Sequence, residues 1–162
     1  MTVTHFSSDV QEFIQLLDIH GVRYVIVGGE AVIYYGYARL TGDVDFFYEA
    51  SSENAERLFG ALDEFWGGDI PGIKSSGELL LKGTILQFGV PPNRIDLINS
   101  IDEVSFNEAW EFRTEEEIEI AEKRYKVYYI GIEQLIKNKE AVKRYKDLED
   151  LKYLKAAQKA KK

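Results

Sequence analysis

Two hydrophobic periods take turns along this chain. Val10, Phe13, Ile14 and Leu17 share one helical face behind a capping Ser7, Ser8 or Asp9, so a helix is expected to about His20, where Gly21 stops it. Arg23 to Val27 is an apolar strand, Glu30 to Tyr37 reads as a short helix, and Asp43 to Tyr48 is a second apolar strand opened by two acids. Ala55, Leu58, Phe59 and Leu62 return to helical spacing in a segment capped by Ser51 or Ser52 and running from Glu53 to about Phe65. Trp66 to Gly77, rich in Gly and containing Pro71, is a loop. Leu79 to Leu81 and Thr84 to Val90 follow as strands, Pro91, Pro92 and Asn93 as a turn, and Arg94 to Asn99 as a strand running back. Ser105 to Phe112 predicts a short helix, and Glu117 to Ile120 with Lys126 to Ile130 a hairpin around AEKR. From residue 132 the pattern is helical, with a break near Tyr145.

This order predicts an α/β (α+β) fold: a small mixed sheet with flanking helices and a C-terminal helical pair. One domain spans 1–162, with an α/β body at 1–131 and a helical extension at 132–162. At 162 residues the chain is long enough for a real core, and 45% hydrophobic content with 13% aromatics argues against disorder. The absence of cysteine removes disulfides, thiolate metal sites and cysteine nucleophiles. No leader pattern and no apolar run of membrane-spanning length is read, so the expectation is a cytoplasmic protein without a membrane partner.

Charge divides the chain more sharply than its net value of −8 suggests. Residues 135–162 hold 10 Lys and Arg against 4 Asp and Glu, leaving 10 against 24 in the first 134 residues. The acidic body cannot hold a polyanion unaided, but a basic helix lying across it can. Lys139 and Lys143, one turn apart, are suited to β and γ phosphates.

The chemistry concentrates between Val25 and Tyr48. Strand alternation puts Asp43 and Asp45 on one face, with Val44 and Phe46 on the other. Like charges that close call for a cation, and hard carboxylate oxygens suit Mg²⁺ or Mn²⁺. Gly28 and Gly29 precede a helix start, where backbone N–H groups are open to a phosphate. Asp96 is a carboxylate between Ile95 and Leu97 in an apolar strand, and Arg94, two residues away on the same face, is its alternative structural partner.

Gly28, Gly29, Ala31, Gly36, Arg39, Thr41, Asp43 and Asp45 together resemble the G-G-x-A, following Gly and R-x-T-x-D-x-D of minimal nucleotidyltransferases in the DNA polymerase beta-type superfamily. Leu135, Ile136, Lys139, Arg144, Lys146, Asp147 and Asp150 are similar to the C-terminal pattern of bacterial abortive-infection (AbiEii-like) toxin nucleotidyltransferases. The resemblance covers about Arg23 to Leu154.

The resemblance implies metal-dependent transfer of a nucleoside monophosphate from an NTP to an acceptor hydroxyl, with two divalent ions. Asp96 would be the third acid beside Asp43 and Asp45. Gly28, Gly29, Arg39, Thr41, Lys139 and Lys146 would bind the nucleotide. The implied setting is the toxin of a toxin–antitoxin pair, acting on RNA such as tRNA ends, with a cognate antitoxin protein as partner. Two other readings are open: a small-molecule transferase of the antibiotic-modifying type, and a non-catalytic, antitoxin-like binding module. Three intact acids weigh against the last.

Overall fold

The computed structural model describes residues 6–37, 41–90, 94–142 and 144–160. Six strands form one mixed sheet: β1 (Tyr24–Val27), β2 (Asp43–Tyr48), β3 (Ile85–Phe88), β4 (Arg94–Ile98), β5 (Thr114–Ile120) and β6 (Lys123–Tyr129), in the spatial order β3-β4-β2-β1-β6-β5. β2 runs parallel to β4 and antiparallel to β1, β6 runs parallel to β1, and the two edge strands are antiparallel to their neighbours. The helices are α1 (Ser8–Ile19), α2 (Gly28–Tyr34), α3 (Ser52–Phe65), α4 (Phe106–Glu111), α5 (Ile132–Val142) and α6 (Tyr145–Ala160). None of the helices, among the described residues, is long and apolar enough to cross a membrane.

The core grows from the strand face opposite the two acids. Phe46 of β2 is fully buried and meets Phe13 of α1 edge to face, and Phe13 in turn meets Phe65 of α3. Both helices are capped as their sequences require, with Ser7 Oγ accepting from Val10 N and Ser51 Oγ from Asn54 N. Asn54 then clamps the sheet: its buried amide accepts from Arg23 N and donates to the carbonyls of Arg23 and Glu49, pinning the start of β1 beside the end of β2. That clamp sets the register in which Val27 lies opposite Asp45.

Two elements depart from the sequence expectation. Leu79 to Leu81 is not a strand: Ser76–Leu79 forms a 3₁₀ turn. The carbonyls of Leu79 and Leu81 are taken by side chains, Tyr48 Oη and Asn99 Nδ2, rather than by a neighbouring strand. The hairpin β5–β6 is longer than expected, because its acidic run alternates with the sheet: Ile118 is buried while Glu117 and Glu119 stay exposed, and Glu117 and Glu115 face Arg124 and Lys126 across the ladder. The expected turn at Pro91–Asn93 lies outside the described residues.

Helices α5 and α6 form the expected pair, tied by a buried ion network. Lys139 Nζ lies 3.0 Å from Asp147 Oδ1 and 3.1 Å from Asp150 Oδ2, with Lys139 only 3% exposed and both acids 1%. Arg144, in the turn between the helices, donates from Nε and from its backbone N–H to Asp147 Oδ2.

Candidate active site

Register brings the sequence's three acids together. In the parallel β2–β4 ladder Asp45 is aligned with Asp96 and Asp43 with Arg94, so all four side chains leave the same face. One carboxylate oxygen from each of Asp43, Asp45 and Asp96 falls within 4.8 Å of the others. Asp96 is 6% exposed, whereas Asp43 and Asp45 on the neighbouring strand β2 are half-buried.

Gly28 closes the other side. It follows Val27 directly, in the left-handed region at φ +66°, and its α-carbon lies so near Asp45 that a Cβ would collide with Oδ2. Only glycine satisfies both conditions without strain. Gly28 and Gly29 thus open α2 against the acid cluster; the helix starts two residues before the expected Glu30 and ends at Tyr34 rather than Tyr37. Thr41 Oγ1 donates to the carboxylate and the main-chain carbonyl of Asp43, each at 3.2 Å, which holds that carboxylate in place.

Arg94 is the residue whose role in the cluster sequence reasoning underestimated. Its Nη2 donates to Asp43 Oδ2 at 2.6 Å and to Asp96 Oδ2 at 3.3 Å, so it joins two strands rather than pairing with Asp96 alone. The β2–β4 register that makes this possible is long-range and leaves no mark in local spacing. Arg94 Nε also lies 3.1 Å from Asp96 Oδ1, yet neither atom makes a hydrogen bond.

The cluster is short of positive charge. Burial first, then the charge of Asp43 and the nearness of Asp96, push Asp45 up to about 7. Burial also raises Asp96, with Asp43 adding to the effect. At Asp43, burial works in the same direction, but contacts with Asp96, Arg94 and Thr41 and the Arg94 charge outweigh it, so this carboxyl sits below its ordinary value. One arginine therefore does not neutralise three acids. A buried carboxylate oxygen without a hydrogen bond, Asp96 Oδ1, beside a second carboxylate pushed toward neutrality, is the donor set that a hard divalent cation fits.

The expected phosphate-binding cations fall differently. Arg39 and Lys143 lie outside the described residues, as does the side chain of Lys146, whose backbone is in the first turn of α6. Lys139 is buried under Asp147 and Asp150, so the ammonium expected to face phosphate is instead committed to holding the helix pair. The described cation exposed near this network is Arg144, at 60%. Its pKa is raised, mainly by its bond to Asp147 and in smaller part by the charges of Asp147, Asp45 and Asp150, which places the α5–α6 turn within electrostatic reach of the acid cluster. The R-x-K-D spacing contains Arg144, but spacing alone could not separate it from Lys139.

Comparison with known proteins agrees with this geometry at the level of family. No curated protein matches the chain. The family described as nucleotidyltransferase of unknown function (DUF6036) matches residues 6–159, from just before α1 to the last turn of α6, and the chain belongs to that family.

Proposed function

We propose that the protein transfers a nucleoside monophosphate from an NTP to an acceptor hydroxyl, at the face carrying Asp43, Asp45 and Asp96. The observation that supports this best is the convergence of three carboxylates within 4.8 Å beside a glycine turn, with Arg94 as the cation between them. Two divalent ions, Mg²⁺ or Mn²⁺, bound by these acids would supply charge stabilisation to the attacking and departing oxygens. Asp43, oriented by Thr41, and Asp45, packed against Gly28, are the half-buried ligands. Asp96, least exposed of the three and raised by burial, is suited to accept the proton of the acceptor hydroxyl. Gly28 and Gly29 admit the phosphates without a side chain in the way. Arg39, Thr41, Lys146 and Arg144 offset or position the charge of the departing pyrophosphate, while Lys139 acts through Asp147 by fixing Arg144.

For the acceptor, the likeness of the C-terminal pattern to abortive-infection toxins supports an RNA end, such as that of a tRNA, and a cognate antitoxin as the cellular partner. The test uses NTPs labelled at either the α or the γ phosphorus, with Mg²⁺ and total RNA. The α label should move onto RNA while the γ label leaves as pyrophosphate. Transfer of the γ label would make the protein a phosphoryl transferase, and α label on small molecules alone would replace RNA with a small acceptor.

A further inference from the structure

Helix α6 has apolar side chains on two faces. Leu151 and Leu154 are buried, alongside Asp147 and Asp150, which bind Lys139 of α5. Tyr145, Leu148, Lys152, Tyr153 and Ala156 follow helical spacing on another face, and Tyr145 and Leu148 are 82% and 53% exposed. With Tyr37 this face lines an open groove of about 570 Å³, within the range of small-ligand sites. Tyr37 and Tyr153 stack with ring centroids 4.8 Å apart and planes 16° from parallel, and Tyr153 Oη rests over Gly36, where a Cβ would stand 2.9 Å away.

Two elements that carry residues of the candidate active site also lead to this groove. Tyr37 lies at the exit of α2, the helix that begins at Gly28 against Asp45. Tyr145 directly follows Arg144, which is bound to Asp147 and within reach of the Asp45 charge. Three tyrosines offer flat faces, and Lys152 and Glu149 add one cation and one acid to the lining. Aromatic faces match a planar nucleobase better than an aliphatic partner, because every base has a π face to stack on them. Gly28 and Arg144 are the residues assigned above to the donor's phosphates, so a groove reached from both of their elements is assigned to the donor.

We infer that the Tyr37–Tyr145–Tyr153 groove holds the nucleobase of the donor NTP by stacking. This rests on the proposed nucleotidyl transfer and adds where the donor's base is held.

The test compares binding of Mn²⁺ complexes of NTPs and of inorganic tripolyphosphate to wild type, Tyr145→Ala, Tyr153→Ala and Tyr153→Phe, by calorimetry. Tyr145 is exposed enough that its removal leaves the fold intact, which thermal melting checks. Tyr145→Ala and Tyr153→Ala should weaken the NTP that binds wild type by roughly tenfold or more, the scale of losing a base–aromatic stack, and leave tripolyphosphate within twofold. Tyr153→Phe, which keeps the ring, should retain NTP affinity. Equal losses for NTP and tripolyphosphate, unchanged NTP binding by Tyr145→Ala, or a loss seen only with a single-stranded RNA oligonucleotide would overturn the assignment. So would a dimer in sedimentation that Tyr145→Ala dissociates with no effect on NTP. Asp43→Asn in the same assay separates the two readings: tripolyphosphate binding that survives it counts against the acid cluster and leaves the groove result standing.

Discussion

Gly28 and Asp45 touch so closely that no side chain fits between them, although seventeen positions separate them in sequence. The contact arises because Val27, the last residue of β1, is paired with Asp45, and the chain turns over the carboxylate at a positive φ. The glycine turn and the acid cluster are therefore one structure.

Gly28→Ala should disturb this site more than the fold. A left-handed alanine costs about 1–3 kcal/mol and its methyl group displaces Asp45. Thermal melting should show a modest loss of stability, while Mn²⁺ titration should show a clear loss of affinity. Wild-type metal affinity in Gly28→Ala would mean that the position of Asp45 is unimportant.

Metal-free protein should show a pH dependence traceable to Asp45. Its folded pKa, about 7, lies above the ordinary carboxylate value near 4, so between those values the folded state keeps a proton that the unfolded chain has released. The stabilisation is complete below about pH 4 and is lost as pH rises through 7. With chelator present, Asp45→Asn should therefore gain in melting temperature relative to wild type between pH 5 and 8, and added Mn²⁺ should raise wild type alone. A difference that stays constant with pH contradicts this.

Arg94 is the protein's own cation among the acids, so Arg94→Ala should lower metal-free stability and make it depend on added metal. Asp96→Asn should keep most metal–nucleotide binding while slowing transfer by a factor on the order of 10², the scale of lost acid–base assistance. If Asp96→Asn transfers at the parental rate, or fails only because it unfolds, Asp96 belongs to the Arg94 pairing alone.

Lys139→Ala should act chiefly on stability. It leaves Asp147 and Asp150 buried with one of their cations gone, a change that typically costs about 3–5 kcal/mol. Urea denaturation should show that loss, whereas Arg144→Ala should cost little and weaken triphosphate binding more than monophosphate binding. The reverse pattern would restore Lys139 as a phosphate ligand.

What the sequence made legible follows from the range of each signal. The acids at 43 and 45 share a face because strand alternation is local, and β2 begins and ends where the apolar run does. Asp96 stood out because a carboxylate between Ile95 and Leu97 needs a reason. The pair of hydrogen bonds from Arg94 depends on which residue of β2 lies beside it, information carried by sheet register. Lys139 misled for a similar cause: helical spacing shows that a lysine shares a face with its neighbours, but not that α6 folds back and covers it with two carboxylates. The Leu79–Leu81 strand failed because Tyr48 and Asn99, distant in sequence, take the carbonyls a strand would have used.

The central claim is that Asp43, Asp45 and Asp96 together bind divalent cations, and Mn²⁺ binding followed by electron paramagnetic resonance tests it most directly. Wild type should bind Mn²⁺, and Asp43→Asn and Asp45→Asn should each lose roughly tenfold or more in affinity with circular dichroism unchanged, on the scale of a disrupted metal environment. Equal Mn²⁺ affinity in wild type and both variants would contradict the account.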